Sequence, residues 1–200
     1  MKKLRAFLPL LFLGSIVMAQ VADKAEDISP LLIGEKLPEA HLVNLDNEQV
    51  KLSELLKEKP TIIAIYRGGW CPFCTQQLSG LAEIQEEIAD LGFQLIAISP
   101  DEVVDLARIK GKEKFDYQLL SDSNAEFIKN LGIAFKAPEM LEGFALSQGQ
   151  KGKITKVLPV PTVLVVNKEG DILFEYISPN YRQRISPEML LAVLKTVEKD

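Results

Sequence analysis

Histidine and cysteine are nearly absent from this chain: His41 is the one imidazole in 200 residues, and Cys71 and Cys74 are the only thiols. A closed structural zinc site needs four nitrogen or sulfur ligands, so the shortage argues against one, and no metal or cofactor is assigned. His41 itself falls in an alternating stretch and reads as a packing or surface residue. A basic excess is lacking too. With 23 Lys+Arg against 28 Asp+Glu and a net charge of −5, there is no cationic stripe to displace counterions from phosphates, so nucleic acid is not an expected partner. Long apolar runs are also missing: Ala6 to Met18 gives 13 positions, where spanning a bilayer takes about 20. No stable membrane anchor is expected. What remains is a chain with 47% apolar residues, dispersed charge and no repeats, suited to one globular domain.

The first residues have their own logic. Lys2, Lys3 and Arg5 precede the short apolar run, and Val17-Met18-Ala19 supplies small residues at the positions a signal peptidase reads. Residues 1–19 therefore read as a signal peptide cleaved near Ala19–Gln20, with no following cysteine for a lipid anchor. The mature protein is expected in the periplasm or outside the cell. Residues 20–33 read as a linker and 34–200 as the folded domain.

Within that domain, two short alternating runs around Asp46-Asn47-Glu48 predict a hairpin, and Ser53 is placed to cap a short helix through Leu56. Thr61 to Tyr66 is apolar and β-branched, the signature of a strand buried on both faces. After Gly68-Gly69 the spacing of Cys74, Leu78, Leu81, Ile84, Ile88 and Leu91 predicts one helix from Pro72 to Gly92. Phe93 to Ile98 reads as the next strand, and Ser99-Pro100-Asp101-Glu102 as a capping box. A helix through Ile109, a strand at 117–120 and a helix opened by Asp122-Ser123 follow. Residues 133–157 are punctuated by Pro138, Gly143, Gly149 and Gly152 and read as an insertion. A hairpin over 162–176 and a helix begun at Ser186 complete the pattern. Strands alternating with helices imply an α/β domain with its central sheet covered on both faces.

The two thiols sit where the first central strand turns into its helix, outside a strand's carboxyl end. A helix start offers free N–H groups and the positive end of the macrodipole, which stabilise a thiolate at Cys71. Cys74 lies one turn on, placed to attack a mixed disulfide at Cys71. A bridge between residues three apart restrains little of the unfolded chain, so a purely structural role is a poor use of the pair. Trp70 offers apolar surface to a substrate chain and is expected to be partly exposed. Arg67, four residues before Cys71, is a cation that can lower its pKa.

Arg67-Gly68-Gly69-Trp70-Cys71-Pro72-Phe73-Cys74, followed by Leu158-Pro159-Val160-Pro161-Thr162 and the run to Gly170, resembles the peroxiredoxin-like branch of the thioredoxin superfamily, the alkyl hydroperoxide reductase/thiol-specific antioxidant proteins. The resemblance covers residues 34–198. It implies a thioredoxin fold, with a central mixed sheet flanked by helices, an N-terminal hairpin and an insertion before the last hairpin. It also implies that Pro161 is a cis-proline facing the dithiol and that Pro161 and Thr162 help position a substrate. The departures matter. A peroxiredoxin site would place proline at 67, threonine at 71 and arginine at 161, and only Cys74 matches its peroxidatic cysteine. The thioredoxin-type dithiol, tryptophan and proline are present, but the buried acid expected at 65 is Ile65.

The expected function is therefore a thiol-disulfide oxidoreductase and antioxidant protein that cycles Cys71 and Cys74 between dithiol and disulfide. Its partners would be protein or small-molecule disulfides and an unidentified redox partner. One alternative is a peroxidase reducing hydroperoxides, with Cys74 or Cys71 as the peroxidatic cysteine. Another is a binding module whose dithiol does no chemistry.

Overall fold

The computed structural model describes residues 21–112 and 115–197, so the signal-peptide assignment lies outside the described residues. The predicted hairpin is β1 (His41–Val43) and β2 (Gln49–Lys51), followed by α1 (Leu52–Leu56). The central strands are β3 (Thr61–Ile65), β4 (Gln94–Ser99) and β5 (Gln118–Ser121). Helices α2 (Pro72–Glu83) and α3 (Gln85–Asp90) lie between β3 and β4, and α4 (Val103–Lys112) between β4 and β5. Then come α5 (Glu126–Asn130), β6 (Ala134–Lys136), α6 (Leu141–Ser147), β7 (Val157–Pro159), β8 (Thr162–Val166), β9 (Ile172–Ile177) and α7 (Pro187–Leu194).

Seven strands form one mixed sheet in the order β2-β1-β5-β4-β3-β8-β9. β3, β4 and β5 run parallel, while β8 pairs antiparallel with β3 in a register that sets Ile65 against Thr162. Side chains of the central strands alternate between two buried clusters. Ile62, Ala64 and Tyr66 face α2, α3, α4 and α7, and Ile63 and Ile65 face α1 and α5. Each fully buried aliphatic side chain contributes about 1.5–3 kcal/mol relative to exposure, which fixes the register of β3 and hence where its end delivers the next residues.

Several local expectations need correction. The helix predicted from 72 to 91 is broken at Ile84 (φ −102°, ψ 12°), although its apolar face continues through Ile88. Periodicity reports the shared face and is blind to the break. Ser53 does not cap α1, which begins one residue earlier, the Leu52 N–H being taken by the Ala40 carbonyl. The capping box at 99–102 is not formed either. α4 begins at Val103; the Ser99 hydroxyl accepts from the Asp101 N–H at 3.3 Å, and the Asp101 carboxylate accepts from the N–H of Gly69.

The segment read as a linker is docked: Ala22 exchanges hydrogen bonds with Ala134 and Lys136, and Ser29 and Leu31 donate to Gly132 and Leu131. Residues 133–157 form β6, α6 and the start of β7, with β6 and β7 paired in a two-stranded ribbon beside the main sheet. The Val160–Pro161 bond is trans, against the cis geometry the resemblance implies. The Val160 N–H donates to Ile133 and the Pro161 carbonyl accepts from Ser178, so the chain is held between its neighbours on both sides as it passes from β7 to β8.

Candidate active site

β3 ends at Ile65, and the next turn must reverse in few residues to start α2. Gly68 has φ +138°, where a side chain is strained, and a Cβ at Gly69 would collide with the Ile109 side chain. Cys71 is the last extended residue before the helix (φ −89°, ψ 114°), and Pro72 holds the first helical position, where its missing N–H costs nothing. Cys74 lies one turn in, its N–H donating to the Cys71 carbonyl at 3.0 Å. Both thiols are unbridged.

Their surroundings differ. Cys71 borders a cavity of about 500 Å³ walled by Arg67, Phe73, Met140, Phe144 and Tyr181. Cys74 is wholly buried in the core under α2. The Cys74 thiol donates toward the Cys71 sulfur, and with the Cys74 N–H and the Arg67 and Arg184 cations it lowers the Cys71 pKa to about 6, against the opposing effect of burial. Burial, and then the Cys71 sulfur beside it, pushes the Cys74 thiol well up. Arg184 reaches Cys74 from the loop before α7, Nη2 to Sγ 3.7 Å, a long charge-assisted contact.

Of the other residues singled out from sequence, Arg67 is 7% exposed, with its guanidinium 5.2 Å from the Trp70 ring and 4.7 Å from the Tyr181 ring. These are cation–π distances. Trp70 is buried, contrary to the expected partial exposure. Phe144 of α6 packs edge-on against it at 6.2 Å, so the segment read as an insertion covers the ring. Pro161 shares a separate cavity of about 290 Å³ with Arg67, Pro138 and Tyr181, beside the one that Cys71 lines. The Thr162 hydroxyl donates to the Val160 carbonyl at 2.9 Å, inside its own chain turn. His41 is exposed on β1.

Four residues escaped the sequence reading as site residues. Asp101 is buried at the end of β4 and accepts from the Gly69 N–H (2.8 Å) and from Gln150 Nε2 (3.1 Å). Burial raises its pKa to about 6. It joins the loop before the nucleophile to the chain just after α6. Arg182 and Arg184 arrive with Tyr181 on the loop between β9 and α7. The signal was there, an Arg-Gln-Arg run beside a tyrosine, in a segment with no periodicity to draw attention.

A thiol of lowered pKa at the start of a helix, outside the carboxyl end of a central strand, with a second thiol one turn deeper, is an arrangement suited to thiol-based redox chemistry on a thioredoxin fold. The AhpC/TSA family profile matches residues 33–174, and the chain belongs to that family. It is 29% identical over 106 residues to Peroxiredoxin Bcp of Escherichia coli, covering 53% of this chain and 67% of that one. To Peroxiredoxin bcp1 of Schizosaccharomyces pombe it is 29% identical over 117 residues, covering 58% and 60%. Among solved structures, Peroxidoxin BcpB of Mycobacterium tuberculosis superposes with a TM-score of 0.64 at 21% identity, over 83% of this chain and 97% of that one. Reduced Prx3 of Vibrio vulnificus in complex with H2O2 does so with a TM-score of 0.70 at 18% identity, over 82% and 99%. The fold is thus the peroxiredoxin-like version of the thioredoxin fold, and the protein is an oxidoreductase.

Proposed function

We propose that Cys71 and Cys74 form a redox-active pair, with Cys71 the nucleophile and Cys74 the resolving thiol. The observation that carries this reading is the inequality of the two sulfurs: both are buried, but Cys71 borders a cavity and has its pKa lowered to about 6, while Cys74 lies deeper and burial pushes its pKa up. In the first step the Cys71 thiolate attacks one sulfur of a substrate disulfide. The substrate S–S bond breaks, a Cys71 mixed disulfide forms, and the other substrate sulfur leaves as a thiolate and takes up a proton. Cys74 then loses its proton, with Arg184 beside the developing charge, and attacks the Cys71 sulfur. The second substrate thiol leaves and the Cys71–Cys74 disulfide closes. Two electrons have passed to the substrate, and a dithiol partner returns them. Arg67, Phe73 and Tyr181 form the wall against which a substrate is held, with the buried Trp70 backing Arg67.

Family membership favours a second use of the same thiols, the reduction of a hydroperoxide. The Cys71 thiolate attacks the outer peroxide oxygen, the O–O bond breaks, and the alkoxide leaves as the alcohol after protonation. The resulting sulfenic acid condenses with the Cys74 thiol, with loss of water. This assignment departs from the sequence correspondence, in which Cys74 holds the peroxidatic position. The lowered pKa and the adjoining cavity both belong to Cys71. Insulin-disulfide reduction and peroxide consumption, measured on one preparation with Cys71→Ser and Cys74→Ser beside it, test both. A protein active in neither assay would be the binding module. We also propose export, on the basic, short apolar and small-residue pattern of residues 1–19. Absence of the protein from the exported fraction overturns export, and a mature N-terminus other than one near Gln20 overturns the cleavage site.

A further inference from the structure

The loop between β9 and α7 brings Tyr181, Arg182 and Arg184 to the dithiol, Tyr181 sharing with α6 the cavity that Cys71 borders. Tyr181 meets Phe73 edge-on at 5.6 Å, and the Arg182 guanidinium lies 5.9 Å from the Phe73 ring and 5.6 Å from the Tyr181 ring. Arg67 lies 4.7 Å from the Tyr181 ring. Phe73 is shared by two cavities, the one that Cys71 borders and one of about 630 Å³ lined by Arg182, Arg184, Gln76 and Gln77.

Three guanidiniums therefore gather beside the dithiol, Arg67 and Arg182 on the Tyr181 ring and Arg184 on Cys74. Among the described residues none of them pairs with a carboxylate. The Nε atoms of Arg67 and Arg184 are buried with no hydrogen-bond partner. The larger cavity has one acidic lining residue, Glu83. It stands nine residues beyond Cys74 at the far end of α2, about 13 Å along the helix axis. Cations gathered without carboxylate partners in a chain of net charge −5 are not explained by solubility. A buried guanidinium N–H left without an acceptor, as at the Nε of Arg67 and of Arg184, is costly unless a ligand supplies one, with Arg182 exposed beside them.

From this we infer a substrate class for the dithiol: a low-molecular-weight thiol, or its disulfide, that carries carboxylates close to the sulfur. Its sulfur meets Cys71 in the smaller cavity. Its carboxylates turn past Phe73 toward Arg182 and Arg184, with Arg67 on the near side, as charge-assisted hydrogen bonds require. In the reducing direction its thiolate attacks the Cys71 sulfur of the Cys71–Cys74 disulfide. That S–S bond breaks, a Cys71 mixed disulfide forms, and Cys74 leaves and is protonated. A second molecule then attacks the mixed disulfide, yielding the small-molecule disulfide and the Cys71 thiolate. This inference rests on the dithiol reading above.

The test uses the oxidised full-length mature protein and the blocked peptides Asp-Cys-Asp, Asn-Cys-Asn and Lys-Cys-Lys, compared at equal thiolate concentration. Reduction is followed by the fluorescence of Trp70, the only tryptophan. We expect the acidic peptide to react about tenfold faster than the neutral one and the basic peptide to be slowest. The preference should shrink toward one in about 0.5 M salt, because screening at that ionic strength acts within a few ångströms. Arg182→Ala should reduce the ratio severalfold, while Arg182→Lys keeps most of it. Equal rates for the three peptides, or a preference that Arg182→Ala leaves intact, overturns the inference while the dithiol reading stands. Failure of oxidised protein to form the Cys71–Cys74 disulfide overturns both.

Discussion

Two segments without regular periodicity wall the same pair of thiols, and they are made of opposite materials. Residues 133–157 contribute an apolar wall: α6 covers Trp70 with Phe144 and leaves Met140 82% and Phe144 44% exposed. Residues 178–186 contribute an aromatic and cationic one, with Tyr181 and Arg182 stacked around Phe73 and Arg184 touching Cys74. The sheet and α2 present a sulfur in much the same way whatever lies around it, whereas these two connections decide what can reach it. The walls also meet the thiols unequally. The apolar wall, Arg67 and Tyr181 of the loop border Cys71, and the loop cation Arg184 sits on Cys74.

The sharpest way to break that inequality is to remove each sulfur. Cys71→Ser should lower disulfide reduction on the order of 10³-fold or more, because the attacking atom is gone. Cys74→Ser should keep the first step and accumulate Cys71 mixed disulfides, read on non-reducing gels and by mass spectrometry. Faster alkylation of Cys74 than of Cys71 at pH 6 would reverse the assignment and give the loop cation the nucleophile.

How the apolar wall is held to the site can be tested next. Asp101 accepts from Gly69 in the active-site loop and from Gln150 just beyond α6, and nearby Asp105 accepts from the N–H groups of Lys151 and Gly152. Asp101→Ala strands two donors in the interior and should destabilise the fold by about 2–4 kcal/mol, measured as the urea midpoint of the reduced protein. The same change should slow Cys71 alkylation at pH 6 by freeing the loop that positions it. A midpoint within about 0.5 kcal/mol of wild type would mean the wall is anchored elsewhere.

These ties explain what was legible in the sequence. The strand run 61–66, the face of α2 and α3, the closing hairpin and the Ser186 cap follow from spacing and composition, because burial on a sheet or helix face leaves a period in the chain. The two cysteines follow from chemistry at a helix start. Asp101 was misread because a Ser-Pro-Asp-Glu run satisfies a local capping rule, while its carboxylate is engaged 32 residues away in sequence. Trp70 was misjudged because its cover comes from α6, more than seventy residues later. Tyr181, Arg182 and Arg184 lie in a loop, where function leaves no periodicity at all.

A pH series separates the buried acid from the Cys71 thiol. Burial raises Asp101 from an ordinary carboxylate value to about 6, so the folded state keeps a proton that the unfolded chain loses near pH 4. Stability from this group therefore falls as pH rises from about 4 to about 6, by up to about 3 kcal/mol. Cys71 has the opposite sign. Its folded pKa is lowered to about 6, so its contribution rises from pH 6 to about 9, where the unfolded thiol ionises. In urea titrations of reduced protein at pH 4.5, 6 and 8.5, Asp101→Asn should flatten the first interval and Cys71→Ser the second. A Cys71→Ser profile parallel to wild type above pH 6 would show that the thiol is not ionised in the fold.

The smallest expected effect belongs to Arg67, the cation that touches both walls through Trp70 and Tyr181. Its charge is one of several groups that lower the Cys71 pKa, after the hydrogen bonds from Cys74 and alongside Arg184. Arg67→Ala should therefore move the Cys71 pKa only part of the way back toward an ordinary thiol, read from the pH dependence of alkylation. A less stable thiolate means a less stable reduced form, so the disulfide should become harder to reduce. On the scale that runs from thioredoxin to DsbA, we expect the wild-type potential at about −150 to −260 mV, and the variant lower by some tens of millivolts. Arg67→Lys keeps the charge but loses the planar stack between two rings, so it should restore most of the pKa and little of the packing. A variant with unchanged potential but a red-shifted Trp70 emission would make Arg67 a spacer between the walls and leave Arg184 as the cation that tunes the pair.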